Sequence, residues 1–272
     1  MNPPKRQQKR ERQGTEPPTV RDLKRSRYQS ENYGAHYDRR YSTGLNELNT
    51  IVERRWIARY LKGAFVLDAG AGTGRFAAFL ESRGNKVVAL DSSGAMLDAL
   101  REKAPGMPSV RSDIYEIPLP DNSFDAAVCM HVLFHLPDWP LVLAELARVV
   151  RPGGAVFFEM RSAEHVRAAE KVLQALRIAL PPRGKTDRSQ ATVYSSRARV
   201  RREAESAGLE IEQTLAYDVG HSYYLSPLAF ILERLYARLS WLSSVAGAFE
   251  LAFGPLLPAW STYRTLYLAR KK

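Results

Sequence analysis

The chain has very little cysteine, which limits the chemistry that thiols could provide. Its 272 residues include one cysteine, Cys129, so no disulfide can form within the chain. Cys129 stands in the middle of an apolar run, which predicts a buried, unreactive thiol. The sequence has no C-x-x-C pair, and we predict no metal site.

The sequence also lacks the apolar runs that export or membrane insertion would require. The N-terminus is charged from Lys5 onward and has no apolar signal region. No uncharged run is long enough to span a bilayer. The apolar content of 45% is ordinary for a folded domain with a proper core, and we expect a cytoplasmic protein.

The chain has fewer acidic than basic residues, and the excess of basic residues is concentrated in a few segments. The net charge is +11; residues 1–42 hold eleven basic and five acidic residues, and residues 183–202 hold seven and one. Such patches suit nucleic acid, an anionic membrane surface or an acidic substrate. For residues 1–28 we favour a basic, disordered, solubilising tail, because their Pro, Gln, Arg and Lys content cannot build a core. Residues 29–272 then form one domain.

The most informative motif is a glycine-rich turn that follows a short apolar strand. Asp68 ends the strand, and a helical pattern begins at Arg75. Between them, glycine occupies alternate positions: Gly70, Gly72 and Gly74. Glycine lets a backbone approach a ligand closely, and a helix N-terminus offers free N–H groups and a positive dipole end. Amides on one side and a carboxylate on the other suit a ligand with both an anionic and a cationic group.

The alternative is a nicotinamide dinucleotide site, and the glycine spacing argues against it. A G-x-G-x-x-G fingerprint would need glycine at position 75, which is Arg75 here. A second apolar strand, residues 86–90, leads to Asp91 about one strand–helix–strand unit after Asp68. A carboxylate at that place can accept hydrogen bonds from both hydroxyls of an adenosine ribose.

Further strands add polar and apolar side chains to the same predicted edge. Met96 begins the helix after Asp91, where an apolar side chain can cover a base. Asp113 ends a third strand, where it could accept a hydrogen bond from an adenine amino group. A fourth strand covers residues 124–131, and a fifth covers residues 155–160.

Taken together, these pieces resemble the class I S-adenosylmethionine (SAM)-dependent methyltransferases, and more narrowly the group with the ubiquinone and menaquinone biosynthesis enzymes. The matching pieces are VLDAGAGTGRF, ALDSSGAML, SDIYEIPLPDNSFDAAVCMHVLFHL and ARVVRPGG, in the family's order over roughly residues 62–160. The resemblance implies an α/β, Rossmann-like fold. Its sheet would have seven mostly parallel strands, the last one antiparallel, with helices on both faces.

The resemblance also implies a role for each candidate cofactor residue. SAM would be the cofactor, with Asp68 and the three glycines at its methionine end. Asp91, with its neighbour Ser92, would hold the ribose. Met96, Asp113 and Ile114 would lie at the adenine, and His131 would lie beside the methyl group.

An N-terminal helix is predicted over residues 43–62, since apolar residues recur there at helical spacing. In the resembling family such a segment packs over the cofactor. Tyr37, which precedes it, is a candidate contact to SAM or to the substrate. An ordinary core or surface aromatic is an equally good interpretation of Tyr37.

Residues 224–258 form a predicted apolar helical insertion that no cofactor motif explains. Three interpretations are open. The insertion could be a lid that builds a hydrophobic acceptor pocket, which we favour. It could instead be a helix that rests on a membrane surface, or a dimer interface.

The two candidate general bases are His131, at the end of the fourth strand, and His221, which follows a sixth strand predicted over residues 209–217. Histidine has a suitable pKa for removing an acceptor proton, although a hydrogen-bonded structural histidine is the more frequent case. Residues 130–134 lack the Asn/Asp-Pro-Pro-aromatic loop of enzymes that methylate DNA bases, so we do not expect a nucleic-acid substrate.

The sequence therefore predicts methyl transfer to carbon or oxygen of a small, apolar acceptor. Two other functions stay open. One is an RNA or protein methyltransferase steered by the basic tail, and the other is a non-catalytic SAM- or lipid-binding protein.

Overall fold

A mostly parallel sheet forms the centre of the chain in the computed structural model, which describes residues 38–39, 41, 44–175, 192–219 and 240–272. The sheet has eight strands in the order β3-β2-β1-β4-β5-β8-β7, and β6 pairs with β5 outside this path. The strands are β1 (Phe65–Ala69), β2 (Lys86–Asp91), β3 (Ser109–Arg111), β4 (Phe124–Cys129), β5 (Val150–Ser162), β6 (Tyr194–Ser195), β7 (Leu209–Val219) and β8 (Thr262–Lys271).

The predicted topology is confirmed. Strands β3, β2, β1, β4 and β5 are parallel to one another, and the last strand of the chain, β8, runs antiparallel to both β5 and β7. The additional strand β6 is not among the predicted strands. It has only two residues, Tyr194 and Ser195, paired with the end of β5, too few for a period-2 pattern to be visible.

Seven helices are described around the sheet. They are α1 (Gly44–Ile57), α2 (Arg75–Ser82), α3 (Gly94–Lys103), α4 (Trp139–Val149), α5 (Ala163–Ala175), α6 (Arg197–Ser206) and α7 (Ser240–Phe253). Short 3-10 turns cover Leu133–His135, Gly254–Leu256 and Ala259–Ser261.

Helices cover both faces, because the central strands are apolar on both sides. In β4, Ala127 and Cys129 belong to a core shared with α4 and α6. The alternate residues Ala126 and Val128 belong to a second core shared with α1, α2, α3 and α7. This alternation follows the two-residue period of a strand. Cys129 is buried as predicted, and burial raises the pKa of its thiol.

Several predicted boundaries were wrong by a few residues. The fourth strand ends at Cys129 rather than at residue 131, and the fifth covers Val150–Ser162 rather than residues 155–160. The N-terminal helix ends at Ile57 rather than near residue 62, because the amides of Arg59 and Tyr60 bond three residues back and tighten the last turn. The third strand ends at Arg111, so Asp113 lies in the loop after it.

Candidate functional site

The glycine turn between β1 and α2 has left-handed backbone at all three glycines, but the three differ in surroundings. Their φ angles are +79° at Gly70, +55° at Gly72 and +81° at Gly74. A Cβ atom on Gly70 would lie 2.3 Å from Val132, and one on Gly74 would lie 2.8 Å from Leu100. A Cβ on Gly72 would meet nothing within 4 Å. Gly70 and Gly74 are therefore needed for packing, and Gly72 is the glycine whose missing side chain leaves a space.

Asp68 puts an incompletely paired carboxylate beside this turn. The residue is 2% exposed, and its Oδ2 has no hydrogen-bond partner. Burial raises the pKa of Asp68 to about 7, against the opposing effects of the Ala77 amide and of Arg75. A buried carboxyl with an unused oxygen suits an ammonium group, which would pair with its charged form.

Asp91 lies across the turn at the end of β2. Its Oδ2 accepts a hydrogen bond from the Gly72 amide at 2.8 Å, and its Oδ1 accepts one from the Ser93 amide at 2.8 Å. A carboxylate can accept about four hydrogen bonds, so Asp91 keeps capacity for a hydroxyl donor. Burial raises the pKa of Asp91, and the amides of Ser93 and Gly72 oppose that rise.

The remaining predicted cofactor residues follow the ends of β2 and β3. Met96 and Ile114 are buried. Asp113 uses Oδ1 to accept from the Tyr115 amide at 3.1 Å. Ser92 accepts through its carbonyl from Arg111, while its neighbour Ser93 provides the α3 cap.

These residues fit SAM. The unpaired Asp68 oxygen suits the ammonium of its methionine part, the space at Gly72 lets the backbone approach, and Asp91 has capacity for a ribose hydroxyl. Tyr37 and His221 lie outside the described residues, as do residues 1–28 and residues 224–239 of the apolar insertion.

Two described residues that precede α1, Asp38 and Tyr41, lie close to the glycine turn. Asp38 accepts a hydrogen bond from the Thr73 hydroxyl at 2.5 Å and pairs with Lys103. Tyr41 packs against the His131 ring at 5.4 Å between centroids, and the Arg75 guanidinium lies 4.3 Å above the Tyr41 ring. Asp38 and Tyr41 together therefore contact both α2 and the end of β4.

His131 lies in a buried cluster of charged side chains at the carboxyl ends of β4 and β5. Its Nε2 is 2.9 Å from Glu53 Oε2, and its Nδ1 is 3.2 Å from Glu159 Oε2. Arg264 reaches the same carboxylates at 3.8 and 3.7 Å and donates to Asp218 at 2.8 Å. His131 also has a left-handed φ of +61°, which is costly for a residue with a side chain.

The cluster shifts several pKa values. Burial lowers the pKa of His131 well below its ordinary value, while Glu159 acts in the opposite direction. Burial raises the pKa of Glu53, opposed by Arg75 and Arg264. His131 is thus held neutral with both nitrogens in contact with carboxylates. This geometry favours the structural interpretation of His131, and its role as a base stays a prediction.

Sequence reasoning missed the partners of His131. Glu53 is on α1, Glu159 on β5, Tyr217 on β7 and Arg264 on β8, and Tyr217 donates to Glu53 at 2.6 Å. A signal was present, since Glu159 interrupts an otherwise apolar strand. Its partners are far apart in sequence, so no local spacing reveals them.

The same cluster contains the one set of side chains in the described ranges whose atoms could share a metal ion. Ligand atoms of Glu53, His131 and Glu159 lie within 4.8 Å of one another. Arg75 and Arg264 already supply positive charge to these carboxylates. The cluster is therefore balanced without an ion.

Helix α7 covers α1 and exposes an apolar stripe. Gly247 faces Leu48 and Val52 at van der Waals distance. The opposite side carries exposed large apolar residues: Trp241, Val245, Phe249 and Phe253, continued by Leu256 and Trp260. Across the described ranges, no helix has the length and apolar character needed to cross a bilayer.

Comparison with known proteins gives matches along the chain. A family model described as a methyltransferase domain matches residues 67–158. A ubiquinone biosynthesis O-methyltransferase from Thiobacillus denitrificans is 34% identical over 183 residues, which are 62% of this chain and 75% of that protein. A malonyl-[acyl-carrier protein] O-methyltransferase from Serratia marcescens is 41% identical over 101 residues, but the match spans only 40% of its length and 37% of this chain.

Solved structures share the fold at low sequence identity. A magnesium protoporphyrin IX methyltransferase from Synechocystis, solved with bound S-adenosylhomocysteine, aligns with a TM-score of 0.58 at 15% identity. The alignment covers 91% of this chain and 98% of that one.

Proposed function

Because the chain belongs to the class I SAM-dependent methyltransferases, we propose that it transfers the methyl group of SAM to an oxygen atom of a small acceptor with an apolar body. The proposal depends on two features of the glycine turn. Asp68 has a buried oxygen without a hydrogen-bond partner, and the backbone at Gly72 faces open space. Oxygen is supported as the target because the two relatives described above are O-methyltransferases by name. Carbon is the second choice.

Bound SAM would supply a methyl group activated by a positively charged sulfur. The chain's own task is then alignment and exclusion of water. Asp68 would pair with the ammonium group, the Gly72 backbone would lie against the methionine part, and Asp91 would accept from a ribose hydroxyl. The N-terminal residues Asp38 and Tyr41 would help to cover the site.

The acceptor must lose a proton if its oxygen is a hydroxyl. His131 is held neutral by burial, but its two nitrogens are in contact with Glu53 and Glu159. We therefore propose that the preferred acceptor has an acidic oxygen that arrives already ionised. Such an acceptor requires orientation rather than a strong base.

Transfer of labelled methyl from SAM tests the proposal. We would incubate the full chain with methyl-labelled SAM and three pools, namely phenols and carboxylic acids with apolar bodies, unrelated proteins, and RNA. Label in the first pool, recovered as an ether or an ester, is expected. Asp91→Ala should remove that label. Asp98→Ala, at an exposed residue of α3 that pairs with Arg101, should retain it. Label confined to RNA or protein, or SAM binding with no transfer to any pool, would contradict the proposal.

A further inference from the structure

Arg161 is a buried cation whose guanidinium donates no hydrogen bond to any residue in the described ranges. The residue lies near the end of β5 and is 8% exposed. Its Nε is buried without a hydrogen-bond partner; the nearest carboxylate oxygen is Glu159 Oε1, at 3.4 Å. A guanidinium has five N–H donors in a rigid fork. Leaving the buried Nε donor unused is costly, which points to a ligand.

Two aromatic rings fix the plane of this guanidinium. Its carbon lies 4.1 Å from the Phe134 ring centroid and 4.8 Å from the Tyr263 ring centroid. Cation–π contacts hold a guanidinium in place without using its hydrogen-bond donors. The side chain is thus oriented while its donors stay available to a planar partner.

Arg161 is connected to the predicted cofactor site through aromatic side chains. A line of ring contacts leads there from the glycine turn, with Phe76 to His131 at 6.2 Å and His131 to Phe134 at 6.4 Å between centroids. Arg161 packs on the far end of this line. Ligands of open α/β sheets bind outside the carboxyl ends of the strands, and Arg161 is close to that end of β5.

Arg161 belongs to a buried group of three guanidiniums and three carboxyls, and the partners are unequally shared. Arg75, Arg161 and Arg264 face the carboxyl groups of Glu53, Glu159 and Asp218. Arg264 takes Asp218 as its nearest partner, and it shares Glu159 with Arg161. Arg161 therefore has no carboxylate partner of its own in the described ranges.

We propose that Arg161 binds a carboxylate group of the acceptor and thereby selects acceptors that carry one. The proposal rests on the proposed function, since it places the acceptor in the same site. A carboxylate matches the guanidinium fork with two parallel hydrogen bonds. The flanking rings of Phe134 and Tyr263 would contact the apolar body next to that group.

Matched pairs of charged and neutral probes test this assignment. We would titrate the full chain with benzoate against benzamide, and octanoate against octanamide, with and without saturating S-adenosylhomocysteine. The protein is expected to bind each carboxylate at least about tenfold more tightly than its amide. Arg161→Gln should abolish that preference, and Arg161→Lys should retain part of it because the charge remains.

The matched control is Arg151→Gln, at the exposed start of the same strand, where Arg151 pairs with Asp125. It should leave both affinities unchanged. Circular dichroism and thermal melting would show whether each variant is folded. If Arg161→Gln does not fold, the reduced preference expected of Arg161→Lys still tests the assignment. Equal binding of acid and amide by the unaltered protein, binding of neither, or an intact preference in Arg161→Gln would overturn the assignment.

Failure of this inference differs from failure of the proposed function. S-adenosylhomocysteine affinity should be the same in all the variants, since in the described ranges Arg161 has no hydrogen bond or ion pair with Asp68, Gly72 or Asp91. Loss of the carboxylate preference with normal cofactor binding and methyl transfer would overturn only the role of Arg161. A carboxylate preference in a protein that binds no SAM would overturn only the proposed function.

Discussion

Among single residues, Asp68 should respond most directly to ligand binding. Its raised pKa and its unpaired Oδ2 both result from burial with few hydrogen-bond donors nearby. The carboxyl is buried with too few donors to stabilise its charge. An ammonium group in the site would supply what is missing. Binding of SAM should therefore be linked to loss of the Asp68 proton.

The first prediction concerns the pH dependence of SAM affinity. Because the pKa of Asp68 is raised to about 7, affinity should increase as the pH rises from about 5.5 to about 7, below the titration of an ordinary α-amino group at about 7.7–8.0. Calorimetric titration across this range measures it. Asp68→Asn should bind SAM more weakly and with little pH dependence; an unchanged pH profile in that variant would contradict the assignment.

The same group sets a stability trend in the absence of ligand. The pKa of Asp68 in the folded protein is raised above its ordinary value of 3.8. The protonated Asp68 carboxyl therefore contributes fully to stability below pH 3.8, and this contribution is lost as the pH rises through about 7. The difference in unfolding free energy between the original protein and Asp68→Asn, from denaturant titrations, should therefore shift in favour of Asp68→Asn between pH 5 and about 8.

A second prediction separates two glycines of one turn. Gly72→Ala and Gly74→Ala both place a side chain at positive φ, a strain of about 1–2 kcal/mol. Only Gly74→Ala also meets Leu100, at 2.8 Å, and overpacking adds about 1–3 kcal/mol. Thermal melting should show the larger loss for Gly74→Ala, and calorimetry should show the larger loss of SAM affinity for Gly72→Ala. Normal SAM binding by a folded Gly72→Ala protein would contradict the account.

At the scale of elements, α1 and α7 approach closely because glycine stands at their contact. A Cβ on Gly247 would lie 3.4–3.5 Å from Leu48, Ile51 and Val52, an ordinary contact distance. Alanine therefore fits there, and a longer side chain does not. The exposed stripe on the other side of α7 is compatible with each of the three interpretations of residues 224–258, which stay predictions.

The third prediction follows from this contact. Gly247→Ala should stabilise the protein by about 0.5–1 kcal/mol, because alanine has the better helix propensity. Gly247→Leu should destabilise it by about 1–3 kcal/mol through overpacking. Chemical unfolding measures both changes. Destabilisation by both variants would mean that the two helices pack more tightly than described.

Helices and strands were predictable where a continuous local sequence pattern indicated them. The strand, glycine turn and helix around Asp68 form one continuous signal, and the antiparallel last strand came from the family resemblance. Strand β6 and the early end of α1 were not predictable, since they depend on pairing with β5 and on turn hydrogen bonds.

At the scale of the whole molecule, Arg264 joins parts of the chain that are distant in sequence. It contacts Glu53 of α1, Glu159 of β5 and Asp218 of β7. Burial opposes its charge, but Glu159 and Asp218 outweigh this effect and raise the pKa of Arg264. These long-range contacts could not be predicted from sequence, because a buried ion pair has no fixed spacing.

The fourth prediction is that Arg264→Met destabilises the fold by about 3–5 kcal/mol, because buried carboxylates lose their shared partner. The matched control is Arg270→Met on the same strand, where Arg270 pairs with Glu212 near the surface and the cost should be about 0–1 kcal/mol. Unfolding free energies from denaturant titration give both values. Equal, small losses would show that the cluster is not a stabilising centre.

The most direct test of the central claim is calorimetric titration of the full chain with SAM and, separately, with NAD. The account predicts saturable binding of SAM and no binding of NAD. It also predicts that Asp91→Ala binds SAM at least about 30-fold more weakly, since hydrogen bonds to a charged group contribute about 1.5–3 kcal/mol each, whereas Asp98→Ala binds normally. Binding of NAD, absence of SAM binding, or unchanged SAM affinity in Asp91→Ala would contradict it.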